Sequence, residues 1–87
     1  KDWLYQVRCF MSDAKDKSDE GDYKGAVIIY EKAGMLAPDY WLIPMSRGVC
    51  LLQSGKKQEG IQALEKSLKL DPDNERIKRN LKAAKDY

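Results

Sequence analysis

The chain has 87 residues, with 16 Lys and Arg against 14 Asp and Glu and no His, enough for one small domain with a limited core. A net charge of +2 is too small to direct it to nucleic acid or to an anionic membrane, and without His there is no Ser–His or Cys–His catalytic pair. It contains no apolar run near 18 residues and no signal-peptide pattern, so no membrane span is expected.

A first helix is expected from Asp2 to Asp19. Trp3, Val7, Phe10 and Ala14 recur at i, i+4, i+7 and i+11, one face of an α-helix; Leu4 and Met11 widen the stripe. Asp2 is placed to cap its start. From Lys15 to Glu20 the sequence is polar on every side, so this end is expected to project into solvent. Gly21 tolerates the left-handed conformation that ends a helix. Asp22 then stands as a cap for a second helix running to Leu36, with Ala26, Ile29, Tyr30 and Ala33 on one face. Gly25 and Gly34 lie inside it, each costing about 1 kcal/mol against Ala.

Pro38 stops the second helix, because the residue before a proline is pushed away from helical angles. The third is expected to start at Asp39 or Tyr40, with Pro44 in its first turn, where no N–H is needed. Gly48, Leu51 and Leu52 follow, and Gly55 ends it. A fourth helix spans Lys57 to Leu70 with Gly60, Ile61, Leu64, Ser67 and Leu68 inward, and Asp71-Pro72-Asp73 breaks it. The fifth, Asn74 to Lys85, has a narrow stripe of Ile77, Leu81 and Ala84, and Arg76, Lys78, Arg79, Lys82 and Lys85 on its other faces. One apolar stripe and a wet outer surface suit a capping helix. This end is also the basic one: residues 75–87 carry +3, against −2 for residues 1–40.

Cys9 and Cys50 match no metal spacing. Both fall on or beside apolar stripes and are expected to be buried or half-buried free thiols, which points to a reducing cytoplasm. A chain that begins with Lys1 rather than Met is expected to be a fragment or a processed form.

The elements repeat. Gly21–Asp39 and Gly55–Asp73 align at an offset of 34 residues, and the positions identical at that offset include Met11/Met45, Ser12/Ser46, Gly21/Gly55, Glu31/Glu65, Lys32/Lys66, Leu36/Leu70, Pro38/Pro72 and Asp39/Asp73. That period, with a helix–turn–helix in each unit, marks a helical repeat array. Such units bury their apolar faces only by stacking.

In its residues the array resembles the tetratricopeptide repeat. The unit 41–74 has Gly48, Gly55, Gly60, Leu64, Ser67 and Leu70-Asp71-Pro72 in phase with that pattern. The unit 7–40 has Ala14, Gly21, Ala26, Tyr30, Ala33 and Pro38 at the same places. Phe10 and Pro44 depart from it at the usual Trp, Asp13 and Arg47 at a usual Leu, and Lys17 at a usual Tyr. The first unit is therefore expected to pack loosely at that end. The resemblance implies an all-α fold: a helical repeat (α–α superhelix) of two helix–turn–helix units, 7–40 and 41–74, and a capping helix, 75–87, in a single domain over 1–87.

The resemblance also implies a concave face lined by the first helix of each unit. In this chain that face holds Arg8, Met11, Lys15 and Ser18, then Leu42, Met45, Val49 and Leu52, then Arg76, Arg79, Ala83 and Asp86. This is an apolar strip between basic flanks, suited to a protein or peptide partner with apolar anchors and acidic flanks. Three uses stay open for the strip: partner docking, self-association into a homodimer, or plain core. Trp3, Leu4 and Tyr5 could cover a neighbouring copy or a preceding unit.

Some members of the family grip the C-terminal carboxylate of heat-shock chaperones. The positions of that clamp hold Met11, Lys15, Ser46, Arg76 and Asn80 here, and only Arg76 is chemically equivalent, so binding of such tails by this clamp is not expected. Enzymatic readings lack companions. Ser12-Asp13-Ala14-Lys15 matches S-x-x-K alone. Ser54-Gly55-Lys56-Lys57 lacks the first glycine and the Ser/Thr of a phosphate loop. The acidic run Asp13, Asp16, Asp19, Glu20 and Asp22 lacks calcium-loop spacing. The basic fifth helix lacks the interleaved aromatics of a nucleic-acid surface. No catalytic residue, cofactor or metal is expected.

Overall fold

Two glycines set the geometry of the molecule. In the computed structural model, which describes residues 2–86, Gly21 and Gly55 have φ of +87° and +88°. Each closes a helix by the same pair of bonds. The Asp22 and Lys56 amides reach back to the Lys17 and Leu51 carbonyls at 2.8 Å, and the glycine amides donate to Ser18 and Leu52. This is a Schellman motif, which needs a left-handed residue after the last helical turn. The chain therefore reverses sharply at two places 34 residues apart.

Five helices result: α1 (Asp2–Asp19), α2 (Tyr23–Leu36), α3 (Leu42–Gln53), α4 (Lys57–Leu70) and α5 (Glu75–Asp86). Consecutive helices pack on one another, and the alternate helices α3 and α5 also meet. The architecture is an all-α helical repeat. The molecule is a slab with extents of 39 × 29 × 16 Å.

Helix starts follow the caps. The Asp22 carboxylate accepts from the Gly25 amide at 3.0 Å and opens α2. Asn74 Oδ1 accepts from the amides of Arg76 and Ile77 at 2.9 and 3.2 Å and opens α5. The position of Asn74 in the first unit is held by Tyr40, which has no short acceptor to offer. Accordingly α3 starts at Leu42, later than the expected Asp39 or Tyr40, behind an N-cap, Trp41, that makes no side-chain bond. Pro44 falls in its first turn, as expected. The Asp2 side chain, the expected cap of α1, lies outside the described residues.

Two cores share α3. Val7, Ala14, Ala26, Tyr30 and Ala33 pack with Ile43 and Cys50 of α3 in the first. Met45 of α3 packs with Leu64, Ile77, Leu81 and Ala84 in the second. Leu64 is fully buried, a burial worth about 1.5–3 kcal/mol. The α3/α4 pair approaches closely because both helices carry glycine at the crossing: a Cβ on Gly48 would stand 2.9 Å from the Gly60 carbonyl oxygen. Ser67, also fully buried, donates to the Trp41 carbonyl at 2.7 Å and ties α4 to the start of α3.

Three expectations about burial are corrected. The α1 stripe begins at Val7, not Trp3: Trp3 and Leu4 are 51% and 52% exposed, because α1 extends past the helix it packs on. Cys9 is exposed, while Cys50 is buried as expected; both are free thiols. The end of α1 is not wholly in solvent, since Ser18 is half-buried and accepts a 3.6 Å bond from the Cys50 thiol. No helix among the described residues is long and apolar enough to cross a membrane.

Candidate functional site

Alternate helices α1, α3 and α5 border a groove of about 490 Å³. From α3 it takes Met45, Ser46, Val49, Cys50 and Gln53, which recur at i, i+1, i+4, i+5 and i+8 and so share one face. Lys15, Ser18 and Asp19 of α1 form one bank. Arg76, Arg79 and Asn80 of α5 form the other, and Tyr30 closes the floor. The floor carries polar groups, the Tyr30 phenol and the Cys50 thiol. Burial pushes the Cys50 thiol up, against a downward pull from its bond to Ser18. Burial likewise raises the Tyr30 phenol, as does neighbouring Cys50, against a downward pull from Ser46. Both groups therefore stay protonated near neutral pH and act as neutral hydrogen-bonding walls.

The banks differ in charge. Lys15 Nζ lies 3.3 Å from Asp19 Oδ2, so the α1 bank is locally neutral. Arg76 and Arg79 have no ion-pair partner among the described residues. The free positive charge of the groove thus sits on α5.

The residues expected to line a concave face separate into groups. Lys15, Met45, Val49, Arg76 and Arg79 meet in the groove. Met45 is only 4% exposed and belongs to the second core as well, so it offers the groove one edge. Leu52 lies one step along, in an apolar cleft of about 240 Å³ between α3 and α5 that also takes Val49, Gln53, Asn80, Ala83 and Ala84. Met11 is packed against the first core and Leu42 against the second, and neither lines the groove. Arg8 is exposed on α1 and lies outside the groove lining. Tyr30, Cys50 and Gln53 line the groove without having been expected there. The helical spacing of Ser46, Val49, Cys50 and Gln53 carries the signal, but their mixed polarity hides it from any search for an apolar stripe.

A sequence model of the tetratricopeptide repeat matches residues 18–84. The chain belongs to the tetratricopeptide repeat family. Membership in that family supports reading it as a protein–protein interaction module. This tetratricopeptide repeat chain is 30% identical over 77 residues to the small glutamine-rich tetratricopeptide repeat-containing protein 2 of Mycosarcoma maydis; the match covers 88% of this chain and 22% of that protein. In fold it is similar to the type III secretion chaperone SycD of Yersinia enterocolitica, solved in complex with a peptide of the translocator YopD, at a TM-score of 0.83 and 22% identity over 91% of this chain and 66% of that one. A second structure of SycD gives the same TM-score and covers 59% of that chain. The chain thus spans about a fifth of the length of the Mycosarcoma maydis protein and 59–66% of the SycD chains.

Proposed function

We propose that the chain is a non-enzymatic scaffold module of two repeats, 7–40 and 41–74, with a capping helix, 75–87, that binds a peptide or helix of a partner protein in the groove across α1, α3 and α5. One observation carries this reading. Two arginines with no ion-pair partner among the described residues, Arg76 and Arg79, stand beside a half-buried apolar wall of Val49 and Leu52. An acidic partner segment with apolar anchors complements both. That a chaperone of the same fold is found with a translocator peptide agrees with peptide binding by this architecture. Of the positions that grip chaperone tails elsewhere in the family, Lys15, Ser46, Arg76 and Asn80 do meet in the groove, but only Arg76 has the required chemistry, so heat-shock tails are not the proposed ligand. Arg8, outside the groove, would act only on approach, through charge steering. The module would work in the cytoplasm, and it would need no cofactor, nucleic acid or membrane.

The test is peptide display selection against the whole chain, followed by titration of the selected peptides with Val49→Glu. Binding is expected to fall at least tenfold, about 1.4 kcal/mol, while the helical circular dichroism is kept. Undiminished binding to a folded Val49→Glu chain would sink the groove.

A second reading is supported by the start of α1, where Trp3, Leu4 and Tyr5 are 51%, 52% and 70% exposed. Contiguous exposed apolar side chains are a common basis for self-association. Light scattering from low to high micromolar separates the two: a constant mass near 10.0 kDa leaves the groove as the interaction surface, and a dimer favours the α1 patch.

A further inference from the structure

The cleft between α3 and α5 and the arginines beside it form one continuous recognition element. Resting on the groove reading above, the geometry points to a specific occupant: an extended partner segment with one bulky apolar side chain seated in the α3/α5 cleft and a carboxylate two residues away held by Arg76 and Arg79.

Size supports the anchor. The cleft holds about 240 Å³, whereas an apolar cavity of about 150 Å³ already admits benzene. One Leu, Met or Phe side chain fits, and a drug-sized ligand, which needs about 300 Å³ or more, does not. The walls are Val49 and Leu52 from α3 and Ala83 and Ala84 from α5; Ala83, exposed on α5, leaves the space open, since a larger residue there would fill it.

Spacing supports the carboxylate. Arg76, Arg79 and Ala83 recur at i, i+3 and i+7 on α5 and share one face. Arg79 lies four residues, about 6 Å of helix rise, from Ala83. In an extended chain, residues i and i+2 point to the same side about 6.6 Å apart. A carboxylate two residues from the anchor therefore comes level with Arg79, and Arg76, one turn further along the same face, flanks it from the other side. Both arginines lack an ion-pair partner among the described residues, so the site has charge to offer. Asp19, on the far bank, is already paired with Lys15.

The amides support an extended backbone over a helical one. Gln53 and Asn80 line both the cleft and the groove. A helix satisfies its own backbone groups, while an extended segment leaves N–H and C=O groups open, and side-chain amides can donate to and accept from them.

The test is an NMR titration of the whole 15N-labelled chain with acetylated, amidated pentapeptides Gly-Phe-Gly-Glu-Gly and Gly-Glu-Gly-Phe-Gly, since the direction of the bound segment is open. One order is expected to shift the amides of Val49, Leu52 and Ala83 with a Kd at least tenfold lower than that of the same peptide carrying Lys for Glu or Ala for Phe. Ala83→Leu, at an exposed helical position that folding tolerates, should fill the cleft and weaken that peptide at least tenfold; Ala83→Ser should not. Equal affinity for the Lys and Glu peptides would overturn the carboxylate, as would tighter binding of a helical peptide with the pair at i and i+4. A display-selected peptide that is lost on Val49→Glu but unaffected by Ala83→Leu would overturn the cleft while leaving the groove reading intact.

Discussion

Gly48 and Gly34 are both helical glycines, and a methyl group should have opposite effects at the two. A Cβ on Gly48 would stand 2.9 Å from the Gly60 carbonyl oxygen and 3.0 Å from Leu64 Cγ. The nearer atom is backbone of a packed helix and cannot swing aside. Overpacking of this kind costs about 1–3 kcal/mol, more than the roughly 1 kcal/mol that alanine gains over glycine in a helix. A Cβ on Gly34 would meet only Ile43 Cγ2, at 3.6 Å, an ordinary contact. Gly34→Ala should therefore raise the melting temperature by about 4–8 °C and Gly48→Ala should lower it; thermal unfolding by circular dichroism checks both. Gly25 resembles Gly34 in sequence but not in space. Its amide takes the Asp22 cap, and a Cβ there would lie 2.5 Å from that carboxylate. Helix propensity gained would be offset by cap lost, each about 1 kcal/mol.

At the scale of the helix, the repeat keeps its backbone more closely than its caps. Asp22 and Lys56 occupy equivalent N-cap positions with φ, ψ of −87°, 71° and −96°, 72°. The aspartate caps α2; the lysine makes no side-chain bond at α4 and places a positive charge at the positive end of the helix dipole. Lys56→Ser would set a serine three residues before Glu59, a capping box, at a site whose backbone already suits it. A gain of about 1 kcal/mol is expected, seen as a higher urea midpoint with unchanged slope; no gain would mean that α4 is held entirely by packing. The same backbone economy explains what could be read from the sequence. Gly21, Gly55, Pro38 and Pro72 act through their own dihedral limits, so the four turns between helices were visible without a structure. The start of α3 was not, because it depends on what Tyr40 fails to do. Site residues were harder still. The family's pattern of concave positions puts Lys15, Val49, Arg76 and Arg79 where the groove is, but Met11, Leu42 and most of Met45 pack into the cores, and only tertiary packing decides which apolar residue of a helix faces a neighbour and which faces a groove. The exposure of Cys9 has the same origin: it sits at the edge of its stripe, where a small helix rotation decides burial.

For the whole molecule, the decisive fact is that helices touch mainly their neighbours in sequence and that both cores close on α3. Arrays of this kind have stabilities that approximate a sum over units and their junctions, so opening should be graded along the chain. Native-state hydrogen exchange should find the slowest amides in α3, with α5 and the first turns of α1 opening at lower free energy. Uniform protection across all five helices would show instead a single cooperative unit. The same arrangement decides how the molecule would carry a load. Stretched between its two ends, a protein whose strands or helices are cross-braced breaks in one abrupt event. Among the described residues no hydrogen bond or ion pair spans α1 and α5, so each terminal helix can peel away without first pulling on the other. Under tension the chain should lengthen in small successive steps, extending at low force as a soft spring does, and α3 should be the last part to yield.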